Sequence, residues 1–125
     1  MITSEVRRLL RAFRYAGQGM RYMWRTQPNA RWHGLATLVV AGVAAWLRVS
    51  GPGAATLALA VGLVWTAEAL NTAIEALADR CTRARDPLIG AAKDAAASAV
   101  LLAAGTAVVV AGLILGPPLL ALLLR

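Results

Sequence analysis

Three acidic residues, Glu68, Glu75 and Asp79, stand inside a long apolar segment, WTAEALNTAIEALADR, from Trp65 to Arg80. In a helix Glu68, Asn71, Glu75 and Asp79 recur every three or four residues, so the spacing predicts one polar stripe on one helix face. A carboxylate near the centre of a bilayer costs roughly 2.5–3.5 kcal/mol even on the insertion scale. The chain has six acidic residues in all, and the stripe holds three of them. Such a placement calls for a chemical reason. With Lys93-Asp94 downstream, the stripe is the candidate functional site.

The surroundings make the apolar reading general. The chain has 125 residues, 59% of them hydrophobic, and a mean hydropathy of +0.63. These values describe a small all-α integral membrane protein, a single domain over 1–125, rather than a soluble one. The first residues are polar and basic, with no signal-peptide pattern, so insertion is expected to rest on the mature spans. The net charge of +7 is compatible with nucleic acid, but its distribution is not. Arg7, Arg8, Arg11, Arg14, Arg21, Arg25 and Arg31 precede the first apolar run, and Arg80, Arg83, Arg85 and Lys93 fill the second connection. Only Arg48 and Arg125 fall on the other side of a three-span arrangement. The positive-inside rule then puts the N-terminus in the cytoplasm.

Residues 4–26 form an amphipathic helix candidate, with Arg7, Arg11, Arg14, Gln18, Arg21 and Arg25 opposite Val6, Leu9, Leu10, Phe13, Met20, Met23 and Trp24. That division suits a helix lying in the headgroup plane or packed on its own bundle. Thr26-Gln27-Pro28-Asn29 marks a turn. Three spans are expected over about 32–49, 54–79 and 88–116. Ser50-Gly51-Pro52-Gly53 is the expected outer turn, Asp86-Pro87 closes the inner connection, and Pro117-Pro118 is expected to loosen the last span. Gly62, Gly105, Gly112 and many alanines are small enough to let helices approach closely.

Taken by itself, the stripe suits a proton relay, an ion site, structural polar glue or a catalytic base. Glu68 lies deepest, which suits proton exchange with a neutral hydroxyl. Glu75 lies about two turns nearer the cytoplasm, a fitting depth for a hard cation held by carboxylate oxygen. Lys93 can contact phosphate as a point charge, and Asp94 can support it or a bound Mg²⁺. Asp79 reads as interfacial. His33, alone at the start of a span, also reads as an interfacial side chain. Cys81 is a small residue at the water boundary, the tryptophans and methionines read as anchors or packing, and Trp46 is placed to touch lipid.

The motif EALNTAIEALADR from Glu68, followed by AAKDAAASAVLLAA from Ala91, resembles the bacterial membrane diacylglycerol kinase and undecaprenol kinase family. Its pattern is E-x-x-N-[ST]-A-I-E-x-x-x-D, then A-K-D and an Ala-rich span. Arg8, Arg11, Tyr15, Gly19, Arg21 and Trp24 also fall in register with it. The resemblance implies a homotrimer of three-span subunits in the bacterial inner membrane, with ATP and Mg²⁺ entering from the cytoplasm and a lipid alcohol from the bilayer. It implies Glu68 as general base and Glu75 as metal and nucleotide ligand. Asn71 would orient the site. Lys93 and Asp94 would contact the nucleotide, together with Arg8 and Tyr15 from the surface helix.

Two departures from the family pattern stand out. Gln27 occupies the position of a second metal-binding Glu; its amide oxygen can ligate Mg²⁺ but brings no charge. The RARDPL segment from Arg83 differs from the usual connection, although Arg85 and Asp86 align with nucleotide-proximal positions. The expected activity is transfer of the γ-phosphate of ATP to a lipid hydroxyl, diacylglycerol giving phosphatidic acid, with undecaprenol the alternative substrate. Readings of another class are a proton or ion conduit built on Glu68, or an inactive lipid-binding membrane protein.

Overall fold

The computed structural model describes residues 2–81 and 84–124. Arg83 and Arg125, counted above among the flanking charges, lie outside the described residues. Four helices follow one another: α1 (Ile2–Thr26), α2 (Pro28–Trp46), α3 (Gly51–Cys81) and α4 (Pro87–Leu123). No strand occurs among the described residues.

α1 keeps its expected two-faced character but rests on the other helices only near its end. Val6, Leu9, Leu10, Phe13 and Met20 are exposed, whereas Met23 is 2% exposed and locks the last turn onto the rest of the chain. An uncovered apolar stripe opposite a basic one is the pattern of a helix seated on a membrane surface. Gln27 alone separates α1 from α2, with φ −108° and ψ 109°. The following proline forces this extended backbone on it, and Pro28 then opens α2 at a position where no amide donor is needed.

α2 ends three residues earlier than the anticipated crossing, and its turn lies before the glycines. Arg48 N donates to Ala45 O at 3.1 Å and Val49 N to Ala44 O at 2.9 Å. With Arg48 at φ +55°, this is a Schellman closure around a non-glycine residue. The expected turn at Gly51-Pro52-Gly53 is therefore displaced, because those residues already form the first turn of α3.

α3 and α4 are each long and apolar enough to cross a membrane. α2 opens with Asn29, Arg31 and His33 and does not meet that measure. The two long helices form the main antiparallel pair. Ala60 and Val64 of α3 are buried, as are Ala96, Val100 and Ala103 of α4. Alanines make this seam, letting backbones approach closely where lipid offers no hydrophobic drive. Gly62, Gly105 and Gly112 play no such part within the chain, since a Cβ on any of them meets nothing within 4 Å. Close approach occurs instead at Gly34, where a Cβ would fall 2.7 Å from the Trp24 ring. Outward-facing residues such as Leu59, Leu101, Val108 and Leu113 are more than half exposed, as befits a membrane protein. α4 starts cleanly, Asp86 accepting from Leu88 N at 2.8 Å and Ile89 N at 3.3 Å ahead of Pro87. It does not end at the tandem proline, and continues through Pro117 and Pro118 to Leu123.

Candidate active site

Glu68 and Glu75 of the stripe face α2 and the Gln27 that precedes it, and the two helices meet along three polar rungs. At the deepest, Trp65 Nε1 donates to Thr37 Oγ1 at 3.1 Å. In the middle, His33 Nε2 lies 3.8 Å from Glu68 Oε2. At the inner end, Gln27 Nε2 donates to Glu75 Oε2 at 2.7 Å. The rungs recur because α2 and α3 run antiparallel in one fixed register, which sets residue 37 opposite 65, 33 opposite 68 and 27 opposite 75. Trp24 of α1 stacks on Trp65, with ring centroids 6.3 Å apart, and fastens the surface helix to the same seam.

Glu68 is 1% exposed, and neither of its carboxylate oxygens has a hydrogen-bond partner among the described residues. An unpaired carboxylate in such a place is costly, so it is held there against the preference of the fold alone. Glu75 is in the opposite condition. Its Oε2 takes the Gln27 amide and its Oε1 takes Asn71 Nδ2 at 3.2 Å. Asn71 Oδ1 is buried and unpaired beside it. Carboxylate, amide oxygen and a spare buried acceptor form an all-oxygen set suited to a hard divalent cation. Gln27 at present offers its amino group, and a half-turn of its amide would bring the oxygen forward. No cluster of three or more His, Cys, Asp or Glu residues exists among the described residues, so a cation there must draw further ligands from water or phosphate.

A second group gathers at the inner connection. Lys93 Nζ binds Asp79 Oδ1 at 2.8 Å, so the lysine's partner is Asp79 and not its neighbour Asp94. An open pocket of ≈ 880 Å³ brings Asp79, Arg85, Asp86 and Lys93 together. The Asp86 carboxylate there is already engaged in capping α4. A third hollow, a groove of ≈ 630 Å³ between α3 and α4, is lined by side chains such as Leu70, Ile74 and Leu102, with Asn71 among its few polar groups.

Other expected site residues stay apart within one chain. Arg8 is exposed and lies 3.8 Å from Glu5 of its own helix. Arg8 and Tyr15 stand about 28 Å and 18 Å along the helix from Gln27, at 1.5 Å per residue. Trp46 is 66% exposed at the far end of α2, about 20 Å along that helix from His33. Asp94 is exposed and is not among the residues that line the pocket. Conversely, His33 and Asp79 belong to the site although they read as interfacial.

The fold and site describe a helical membrane protein with a buried carboxylate and, at one end, a pocket lined by two acidic and two basic side chains. Comparison with known proteins makes the class specific. The pattern of the prokaryotic diacylglycerol kinase family matches residues 14–115. A diacylglycerol kinase of Synechocystis is 44% identical over 116 residues, 92% of this chain and 66% of that protein. A diacylglycerol kinase of Escherichia coli is 36% identical over 107 residues, covering 86% and 88%. An undecaprenol kinase of Bacillus subtilis is 34% identical over 116 residues, covering 93% and 94%. The chain belongs to the prokaryotic diacylglycerol kinase family.

Proposed function

We propose that the protein is a lipid kinase that transfers the γ-phosphoryl group of ATP to the hydroxyl of diacylglycerol, giving phosphatidic acid. The observation that carries the reading is the buried, unpartnered Glu68 carboxylate two turns from the amide-held Glu75. A lipid hydroxyl is a poor nucleophile, so the site must position it, neutralise phosphate charge and remove its proton. As the hydroxyl oxygen bonds to the γ-phosphorus, the bond to the β–γ bridging oxygen breaks and ADP leaves. The hydroxyl proton passes to Glu68.

Glu75, Asn71 and Gln27 would hold Mg²⁺, which supplies charge neutralisation at the phosphates when bound. Lys93 then guides phosphate from the pocket it shares with Arg85, and Asp94 supports the nucleotide from the same end. Diacylglycerol enters laterally from the bilayer along the apolar groove between α3 and α4, where Asn71 orients it. Arg8 and Tyr15 reach a nucleotide only if α1 serves a neighbouring subunit's site. We therefore take the working unit to be a homotrimer of three-span subunits, α2 completing its crossing inside the assembly, with N-termini in the cytoplasm.

Purified protein in mixed micelles with Mg²⁺ and ATP should phosphorylate diacylglycerol. Undecaprenol is the second substrate to assay, because the Bacillus relative bears that name and aligns over 94% of its length. Side-by-side turnover decides between them, and no phosphorylation of either by folded protein overturns the kinase reading. ATP-independent proton flux into liposomes would instead favour a conduit.

A further inference from the structure

We propose that His33 is the positioning residue for Glu68, its Nε2–H engaging Oε2 so that Oε1 is the oxygen that accepts the lipid hydroxyl's proton. This rests on the kinase reading above.

Three observations meet at this rung. Glu68 has no hydrogen-bond partner among the described residues, and the His33 imidazole is the charged or ionisable group within ion-pair distance of it, at 3.8 Å. The His33 side chain is 19% exposed, so it is held in the protein rather than spread on the interface. The rungs on either side, Thr37–Trp65 and Gln27–Glu75, are closed hydrogen bonds that fix the register of α2 on α3. His33 therefore has no freedom to slide along Glu68's helix.

Among the described residues the imidazole has no competing hydrogen-bond partner. On its other side it borders a cavity of ≈ 190 Å³, to which α4 contributes Ala104, Ala107, Val108 and Ala111 and α3 contributes Val61 and Val64. From α1, the Trp24 ring packs against the neighbouring Gly34. Glu75, the next acid along the stripe, is occupied by Gln27 and Asn71. The gap of 3.8 Å is longer than a hydrogen bond, and catalytic contacts of this kind shorten when substrate is bound. Engaging Oε2 has a directional consequence. A carboxylate free to rotate would present either oxygen, whereas one held by a donor presents Oε1 toward the substrate. The hydroxyl proton then moves to Oε1 while the hydroxyl oxygen bonds the γ-phosphorus and ADP departs.

The test uses intact protein in micelles with diacylglycerol, Mg²⁺ and ATP. His33→Ala should lower kcat about tenfold or more while the KM for ATP stays within about twofold. His33→Gln, which keeps a donor at similar reach, should retain a third or more of wild-type kcat. If the alanine variant does not fold, His33→Leu fills the space without a donor and takes its place. Wild-type kcat in the donor-less variant, or a glutamine variant no better than it, overturns the proposal. A second measurement is independent of turnover. His33 is the single histidine, so its imidazole NMR resonances are unambiguous. Glu68→Gln should change the chemical shift of the Nε2 resonance, and an unchanged shift overturns the pair. Wild-type protein that phosphorylates no lipid would remove the kinase reading, and the NMR result would still decide whether His33 engages Glu68.

Discussion

At the scale of single residues, the two stripe glutamates differ by what surrounds them. Glu75 is satisfied by two amides and Glu68 by none. Glu68→Gln keeps the shape and removes the proton acceptor, so turnover should fall by about two orders of magnitude or more while ATP binding persists. Full activity in that variant would discard the base assignment. Gln27→Glu restores the carboxylate common in the family, placing it against the Glu75 oxygen that the amide now contacts. The Mg²⁺ concentration for half-maximal activity should drop about tenfold, since affinity for a hard cation rises with ligand charge. Without Mg²⁺ the same variant should melt at a lower temperature, two carboxylates then facing each other unscreened. That Glu68 and Glu75 share a helix face with Asn71 was legible from spacing, because helical periodicity alone sets it. His33 was not, because a lone histidine on another helix has no periodic partner to reveal it. The Lys93–Asp79 bond was hidden for the same reason, since the two residues stand on different helices.

At the scale of elements, turns departed most from expectation. Ser50-Gly51-Pro52-Gly53 carries the composition of a turn, yet α2 closes earlier, on an arginine in the left-handed region. Arg48→Gly should therefore stabilise the folded protein by about 1 kcal/mol, read as a higher unfolding midpoint in detergent, because glycine adopts that conformation without the Cβ clash. No gain would mean that the Arg48 side chain makes compensating contacts with headgroups. The helices themselves were well anticipated, because apolar runs of that length leave few alternatives. Their ends were not, since Gly-Pro pairs can start a helix as readily as they interrupt one. The small-residue rule was right about alanine and wrong about Gly62, Gly105 and Gly112 within one chain, because composition does not say which face a glycine occupies.

At the scale of the whole molecule, the proposed homotrimer would bring Arg8 and Tyr15 of one subunit to a neighbour's site. Native mass measurement in detergent should return three copies, and a monomer with full activity would refute a shared site. Orientation has its own reporter. Cys81 is free and exposed beside the basic connection. A membrane-impermeant maleimide should label it in inverted vesicles and leave it untouched in intact spheroplasts; the reverse pattern would turn the whole topology over.

The tandem proline inside α4 also sets a waterline. Pro117 and Pro118 have no amide hydrogen to give, so the carbonyls of Leu113 and Ile114 lack their usual helical donors. Hydrocarbon offers no substitute for those donors, whereas water and headgroups do. That turn is therefore expected at the bilayer boundary opposite Lys93. From Leu113 back to Lys93 the helix rises about 30 Å, the thickness of a typical hydrocarbon core. Lysine at one level and thirsty carbonyls at the other gauge the depth of the bilayer, and a probe scan along α4 should find solvent at both marks.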